Sequence, residues 1–113
     1  MVPIKYIGTI YWTDPAQTEG SGNITRCLKR TNELVFEAIY ERRRYHVKVE
    51  RHADVFSGNW SLTGPEQSAG SLSCIMIQKD DDLQLSGKWH EDGIEYDFRA
   101  DLQLVPTFDD EIE

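Results

Sequence analysis

Hydrophobic and polar residues alternate with a period of two along most of the chain, which is the pattern of β-strands with one buried face. The clearest segment runs from Ile94 to Leu104, where apolar residues are separated by charged and amide side chains. A segment that includes Leu72, Ile75 and Ile77 is apolar on both faces, which predicts that both faces are covered. The alternation predicts eight strands, over residues 4–12, 23–30, 34–40, 45–50, 56–62, 71–79, 83–89 and 94–104.

Short links between these strands predict that each strand pairs with the next one. Asp92-Gly93 is the strongest two-residue hairpin signal. Other short links stand at 31–32, 42–43, 53–54 and 80–82, and longer loops at 13–22 and 63–70. We therefore predict an all-β fold, a single eight-stranded antiparallel up-and-down β-barrel over residues 1–105, because closure removes the unpaired strand edges.

Two other architectures are compatible with the pattern. A β-sandwich would use the same strands. An α+β fold with a helix near 32–46 is the second alternative, because Leu34 and Ala38 are four residues apart, as on one face of a helix. Aromatic and β-branched residues such as Phe36, Ile39 and Tyr45 favour strands over that segment.

A Ser-Gly-x-Trp element occurs twice, at 57–60 and at 86–89. A glycine within a strand permits close backbone approach, and we expect Trp60 and Trp89 to pack over it and seal part of the core. Eight short strands with Gly-x-Trp elements are similar to the calycin-like meander barrels, namely lipocalins, fatty-acid-binding proteins and avidins. In lipocalins the element lies in the first strand, so no ligand residue is carried over. The resemblance implies a barrel that either encloses a small molecule or is packed solid.

Aromatic residues concentrate at one end of the predicted barrel. Successive strands of a meander alternate in direction, so the first, third, fifth and seventh strands finish at the same end, which we call the mouth. Six aromatic residues lie at or near the mouth: Trp12, Tyr40, Tyr45, Trp60, Trp89 and Tyr96. They predict a ligand-binding site, since an aromatic-lined mouth with a few polar groups resembles one. The alternative is that they belong to the core, with the long loops folded over them.

Charge is distributed unevenly along the chain. The 113 residues include 20 acidic and 12 basic side chains, and the formal net charge of −8 argues against a general nucleic-acid-binding protein. Between Arg26 and Arg51, however, eight basic residues stand against four acidic ones, and the other 87 residues carry 4 basic and 16 acidic groups, so the barrel is predicted to have a basic flank and an acidic flank. The basic flank is predicted to bind an anionic partner or a second copy of the chain through Arg42, Arg43 and Arg44, the alternative being a solvated surface. Strand alternation also points Arg26 inward, where it would need a polar partner.

The residue pattern contains no catalytic constellation. His46 and His52 are six residues apart, which is roughly 20 Å along a strand and too far to share one metal ion. His90 beside Glu91 and Asp92 is better explained as a polar hairpin turn than as a general base. We therefore predict a protein that is not an enzyme and that has no metal site and no cofactor.

The ends of the chain and its two cysteines predict a cytoplasmic protein. The segment from Met1 to Tyr6 has neither the charged nor the apolar region of a secretory signal. Cys27 and Cys74 fit buried thiols in a reducing compartment, with a single disulfide left open as the alternative. The longest apolar run, at 74–77, is too short to span a membrane. Residues 106–113 are predicted to form an acidic C-terminal tail.

Two classes of function follow from these predictions. The first is a non-enzymatic interaction protein that binds a protein partner, or forms a homodimer, through its charged flanks. An acidic inhibitor or immunity-type protein would have this size and charge. The second is a carrier or sensor for a small ligand held at the aromatic mouth. A cavity of roughly 300 Å³ or more under the tryptophans would favour the second class, and a packed interior with a flat charged flank would favour the first.

Overall fold

The computed structural model describes residues 4–63 and 68–105, which form a closed antiparallel barrel of eight strands. Each strand pairs with the next, and β1 pairs with β8 to close the sheet. The prediction of an all-β, eight-stranded up-and-down barrel is confirmed, and the β-sandwich alternative is wrong. The strands are β1 Ile4–Thr13, β2 Glu19–Arg30, β3 Glu33–Tyr40, β4 Arg43–His52, β5 Val55–Thr63, β6 Ser68–Lys79, β7 Asp82–Glu91 and β8 Ile94–Leu104.

The segment for which a helix was the alternative consists of β3 and β4 joined by a two-residue turn. Leu34, Phe36 and Ala38 are buried inside the barrel, while Val35 and Glu37 lie between them on the outer face. A helix would place Leu34 and Ala38 on one face and Phe36 on the opposite side, whereas a strand buries all three on one face. Within the described residues no helix is long and apolar enough to cross a membrane.

A β-bulge in β2 corrects the prediction that Arg26 points inward. The pairing of β2 shifts register between Ile24 and Arg26, both against β3 and near the matching position against β1. Ile24 and Cys27 are both buried, and Arg26 between them is exposed. The extra residue of a bulge moves the side-chain alternation by one position. Arg26 therefore needs no buried partner.

Three predicted boundaries and surfaces also differ. Since β2 begins at Glu19, the loop predicted over 13–22 is reduced to residues 14–18. The β3–β4 turn is at 41–42 and not at 42–43, so Arg43 belongs to β4. The outer face of β6 is not covered, since Ile75 is 47% and Ile77 is 40% exposed. The predicted tail at 106–113 and residues 64–67 of the second long loop lie outside the described residues.

The barrel interior is filled with side chains. Trp60 and Trp89 are buried and stack with their ring centroids 5.4 Å apart and their planes 11° from parallel. The glycine two residues before each tryptophan lies against a neighbouring strand: a Cβ on Gly58 would be 2.0 Å from the Lys48 carbonyl oxygen, and one on Gly87 would be 1.9 Å from the Ser73 carbonyl oxygen. The repeated element therefore places two tryptophans in the core, as the sequence predicted, and the structure adds that they stack on each other.

Candidate functional site

Five of the six aromatic residues predicted at the mouth, all except Tyr96, form one contiguous cluster of rings. Trp12 lies 5.5 Å from Tyr40, 5.9 Å from Tyr45 and 5.4 Å from Trp89, measured between ring centroids. Tyr45 in turn lies 5.4 Å from Trp60. Most of these pairs are edge-to-face, which is a favourable arrangement of aromatic rings. The meander topology thus brings together residues from strands that are far apart in sequence.

A pocket of about 240 Å³ opens at the mouth above this cluster. Four of the six predicted aromatic residues line it, whereas Trp60 and Trp89 belong to the packed layer that contacts them. Its walls come from β1, the following loop, β2, β3, β4, β7 and β8. The lining residues are Trp12, Asp14, Thr18, Glu19, Gly20, Tyr40, Arg43, Tyr45, Glu91 and Tyr96.

Glu91 is the carboxylate that connects the pocket to the core. Trp89 donates its indole N–H to Glu91 Oε1 at 3.0 Å, and the Tyr45 hydroxyl donates to Glu91 Oε2 at 3.3 Å. Partial burial raises the pKa of the Tyr45 hydroxyl, and the negative charge of Glu91 raises it further, while a hydrogen bond from Arg43 acts in the opposite direction. Glu91 is half-buried and is thus fixed by donors on two strands.

Sequence reasoning missed Glu91 because it assigned His90, Glu91 and Asp92 together to a polar turn. The signal was nevertheless in the pattern, since Glu91 continues the inward positions of Leu85 and Trp89 at a spacing of two. His90 has the opposite orientation, is exposed, and lies 3.7 Å from Glu95 on the outer face.

The loop between β1 and β2 forms the acidic wall of the pocket. The Asp14 carboxylate accepts a hydrogen bond from the Thr18 backbone N–H at 2.8 Å, and the Asp14 backbone N–H donates to the Thr18 carbonyl oxygen at 3.0 Å. This closes the loop over residues 14–18 and places Glu19 at the start of β2. Burial raises the pKa of the Tyr96 hydroxyl, and the charges of Glu91 and Asp14 add to that shift. The pocket is therefore electronegative.

Trp12 differs from the other two tryptophans in its hydrogen bonding. Trp60 donates its indole N–H to the His90 carbonyl oxygen at 3.1 Å, and Trp89 donates to Glu91. Trp12 is 9% exposed, its Nε1 atom is buried, and within the described residues that atom has no hydrogen-bond partner. A buried donor without an acceptor costs about 1–3 kcal/mol.

The predicted arginine cluster is divided by the alternation of β4. Arg42 lies exposed in the turn, Arg43 lines the pocket, and Arg44 points outward, where its guanidinium is 3.0 Å from Glu37. Other basic side chains near Arg44 also pair with Glu33 and Glu37, the two carboxylates of β3. The further pairs are Arg30–Glu33 at 2.9 Å, Lys48–Glu33 at 3.5 Å and His46–Glu37 at 3.6 Å.

The described residues form no metal centre. In those ranges, no group of three or more His, Cys, Asp or Glu side chains converges in a way that would hold a metal ion. Cys27 and Cys74 are both free thiols inside the barrel.

Comparison with known proteins gives structural neighbours without sequence relatives. No protein-family model and no curated protein sequence matches the chain. A redesigned β-barrel is similar over 93% of this chain and 92% of that chain, with a TM-score of 0.59 and 12% identity. A tryptophan-to-alanine mutant of the vaccine antigen transferrin binding protein B from Haemophilus parasuis Hp5 is similar over 90% of this chain but 26% of that chain, with a TM-score of 0.52 and 9% identity. The TM-scores show a shared barrel fold, and identities this low show nothing about activity.

Fold and site together define the chain as a closed eight-stranded β-barrel with an aromatic cluster at its mouth.

Proposed function

We propose that this protein is a non-enzymatic binding protein that holds a small molecule in the pocket at the barrel mouth. The observation that carries the proposal is the buried indole N–H of Trp12, which has no acceptor within the described residues and belongs to a residue that lines the pocket. Buried polar groups in folded proteins are nearly always paired. The Nε1 atom has almost no accessible surface, so a ligand could supply the missing hydrogen bond only after the wall of the pocket moves to expose it.

The position of the pocket decides where in a calycin-like barrel the ligand of our proposal would lie. That resemblance leaves open a ligand enclosed by the barrel or a barrel packed solid. Here the stacked pair Trp60 and Trp89 fills the interior beneath the mouth, and the pocket of about 240 Å³ is smaller than the cavity of roughly 300 Å³ that would have favoured an enclosed ligand, so an enclosed ligand is not what we propose. The ligand of our proposal sits outside that layer, against Trp12 and Tyr45.

Binding of a protein partner through the charged flanks stays a second prediction, as does dimer formation. We rank them lower because Glu33 and Glu37 each pair with basic side chains of the flank, which leaves less uncompensated charge for an acidic partner. The inhibitor or immunity-type role and the cytoplasmic location also stay predictions.

The indole N–H groups provide a direct test by nuclear magnetic resonance. The protein labelled with ¹⁵N has one indole signal for each of Trp12, Trp60 and Trp89, and the variant Trp12→Phe assigns the first by its disappearance. We would titrate the protein with separate sets of neutral, anionic and cationic small molecules. The proposal expects at least one compound to shift the Trp12 signal saturably and well before the signals of Trp60 and Trp89. If every compound leaves Trp12 unchanged, the proposal is wrong.

Tyr11→Phe is the matched control variant for binding. Tyr11 also belongs to β1, but its ring lies on the outer face under the Arg99 guanidinium, which is 4.6 Å from the ring centroid. Tyr45→Phe removes a hydroxyl of the pocket in the same chemical way. A compound bound at the mouth should lose affinity with Tyr45→Phe and keep it with Tyr11→Phe, whereas equal effects would place binding elsewhere.

A further inference from the structure

We infer that the pocket selects a small organic cation, an ammonium compound that also carries an oxygen acceptor. This inference rests on the proposed function and names the ligand class for the same site. Three carboxylates, those of Asp14, Glu19 and Glu91, line the pocket against one guanidinium, that of Arg43. The formal balance at the mouth is therefore two negative charges, which a cationic ligand would partly neutralise.

Arg43 does not cancel this preference. Its guanidinium hydrogen-bonds to the Tyr45 hydroxyl, which itself donates to Glu91. The guanidinium keeps its positive charge, which offsets one of the three carboxylates and leaves the formal balance of two negative charges. Burial is the main cause of the raised pKa values of Tyr45 and Tyr96, and the negative charge of Glu91 adds to both.

The aromatic walls provide the second component of a cation site. Trp12, Tyr40, Tyr45 and Tyr96 line the pocket. The face of an aromatic ring attracts a cation through its quadrupole, and tryptophan does so most strongly. Tyr40 and Tyr96 are the half-buried rings of this set, whereas Trp12 and Tyr45 are buried, so the two tyrosines are the rings that an ammonium group would contact beside the carboxylates.

Trp12 adds a requirement that a bare cation cannot meet. An ammonium group has no lone pair, so it cannot accept a hydrogen bond from the unpartnered Trp12 N–H. A hydroxyl, ether or carbonyl oxygen on the same ligand would accept it once the wall of the pocket has moved to expose the Nε1 atom. The volume of about 240 Å³ limits the ligand to a small one, since typical ligand pockets begin near 300 Å³.

Choline and its neutral isostere, in which carbon replaces the quaternary nitrogen, are the matched probes for this inference. They have the same shape and the same hydroxyl and differ in charge. We expect choline to bind about tenfold more tightly than the isostere by calorimetry, and to shift the Trp12 indole signal. We also expect added salt to weaken choline binding and to leave the isostere unaffected.

The outcomes separate the inference from the proposed function. If the isostere binds as tightly as choline, or an anionic compound binds while choline does not, the ligand class is wrong and the pocket still binds a small molecule. If no compound of any charge shifts the Trp12 signal, both are wrong.

Neutral variants of the carboxylates locate the charge effect. Glu19→Gln changes an exposed side chain of the pocket and leaves the core contacts intact, while Glu91→Gln changes the carboxylate at its base. Glu95→Gln removes the same charge from the outer face, where Glu95 lies 3.7 Å from His90. We expect the first two variants to weaken choline binding at least about threefold without affecting the isostere, and Glu95→Gln to change neither. If Glu19→Gln and Glu91→Gln both bind choline as the unmodified protein does, the inference is overturned.

Discussion

Replacing Gly87 by alanine should destabilise the barrel far more than the same replacement at Gly93. Gly87 lies in β7 opposite Cys74 of β6, where the two backbones approach closely. A Cβ at this position would be 1.9 Å from the Ser73 carbonyl oxygen and 2.6 Å from the Cys74 Cα. Neither atom can rotate away, because both belong to the backbone of a paired strand.

The expected loss follows from how far the strands must separate. Bringing the Cβ to 3.0 Å from the Ser73 oxygen requires a movement of roughly 1 Å, which is enough to break the hydrogen bonds beside that residue pair. About two ladder hydrogen bonds at about 1 kcal/mol each, together with about 1–3 kcal/mol for overpacking, give a loss of about 3–5 kcal/mol. That is a large part of the total stability of a domain of this size.

Gly93 is the control because its substitution has a different physical cost. It lies in the β7–β8 turn with a φ of +77°, and nothing stands within 4 Å of an added Cβ. Alanine there meets only backbone strain, which costs about 1–2 kcal/mol. The pair Gly87→Ala and Gly93→Ala therefore separates steric conflict from conformational strain.

Urea denaturation followed by tryptophan fluorescence and by circular dichroism would measure both free energies of unfolding. Gly87→Ala should unfold at a much lower urea concentration than Gly93→Ala, or fail to fold. If the two variants differ by less than about 1 kcal/mol, the close approach of β6 and β7 does not impose the steric cost that its distances imply.

Further predictions concern the core thiols, one hydrogen bond at the mouth and the outer face of β6. Burial raises the pKa of Cys27 and Cys74 from 9.0 to about 12, so both should resist thiol reagents until the protein unfolds. Because the thiols ionise at lower pH in the unfolded chain, their contribution to the free energy of unfolding is complete below pH 9. That free energy should fall as the pH rises toward 12, by about 1.4 kcal/mol per pH unit for each thiol. A variant with alanine at both positions should show a flatter pH dependence of the urea midpoint. Tyr45→Phe should lower the free energy of unfolding by about 1 kcal/mol, because Glu91 loses one of its two donors, and no change in the urea midpoint would contradict this. Ile75→Thr should change stability by less than about 0.5 kcal/mol, since the side chain is 47% exposed, and a larger loss would indicate that this face is covered in solution.

Much of the fold was predictable because the information for it is local. Alternation places Leu34, Phe36 and Ala38 on one face of β3 whatever the rest of the chain does. Turn signals such as Asp92-Gly93, both with positive φ, limit how far apart the strands can lie. From alternation and turns together, the convergence of aromatic residues at the mouth follows by topology alone.

The errors at β2 and β6 have causes that local pattern does not contain. The bulge near Arg26 is a property of pairing with β1 and β3, because an extra residue in one strand is defined only against its partner. The exposure of Ile75 and Ile77 depends on whether anything packs on the outside of the barrel, which apolar character in one strand does not determine.

The sequence by itself determined the eight strands, their order and the end of the barrel at which the aromatic residues meet, because period-two alternation and short links act between neighbours in the chain. Only the tertiary structure decided which polar groups share that end. Glu91 binds Tyr45 across 46 residues of sequence, Arg43 faces the pocket while Arg44 pairs outside, and the Trp12 N–H has no acceptor within the described residues. Hydrogen-bond partners are set by the positions of atoms in space, and those positions exist only once the barrel has closed.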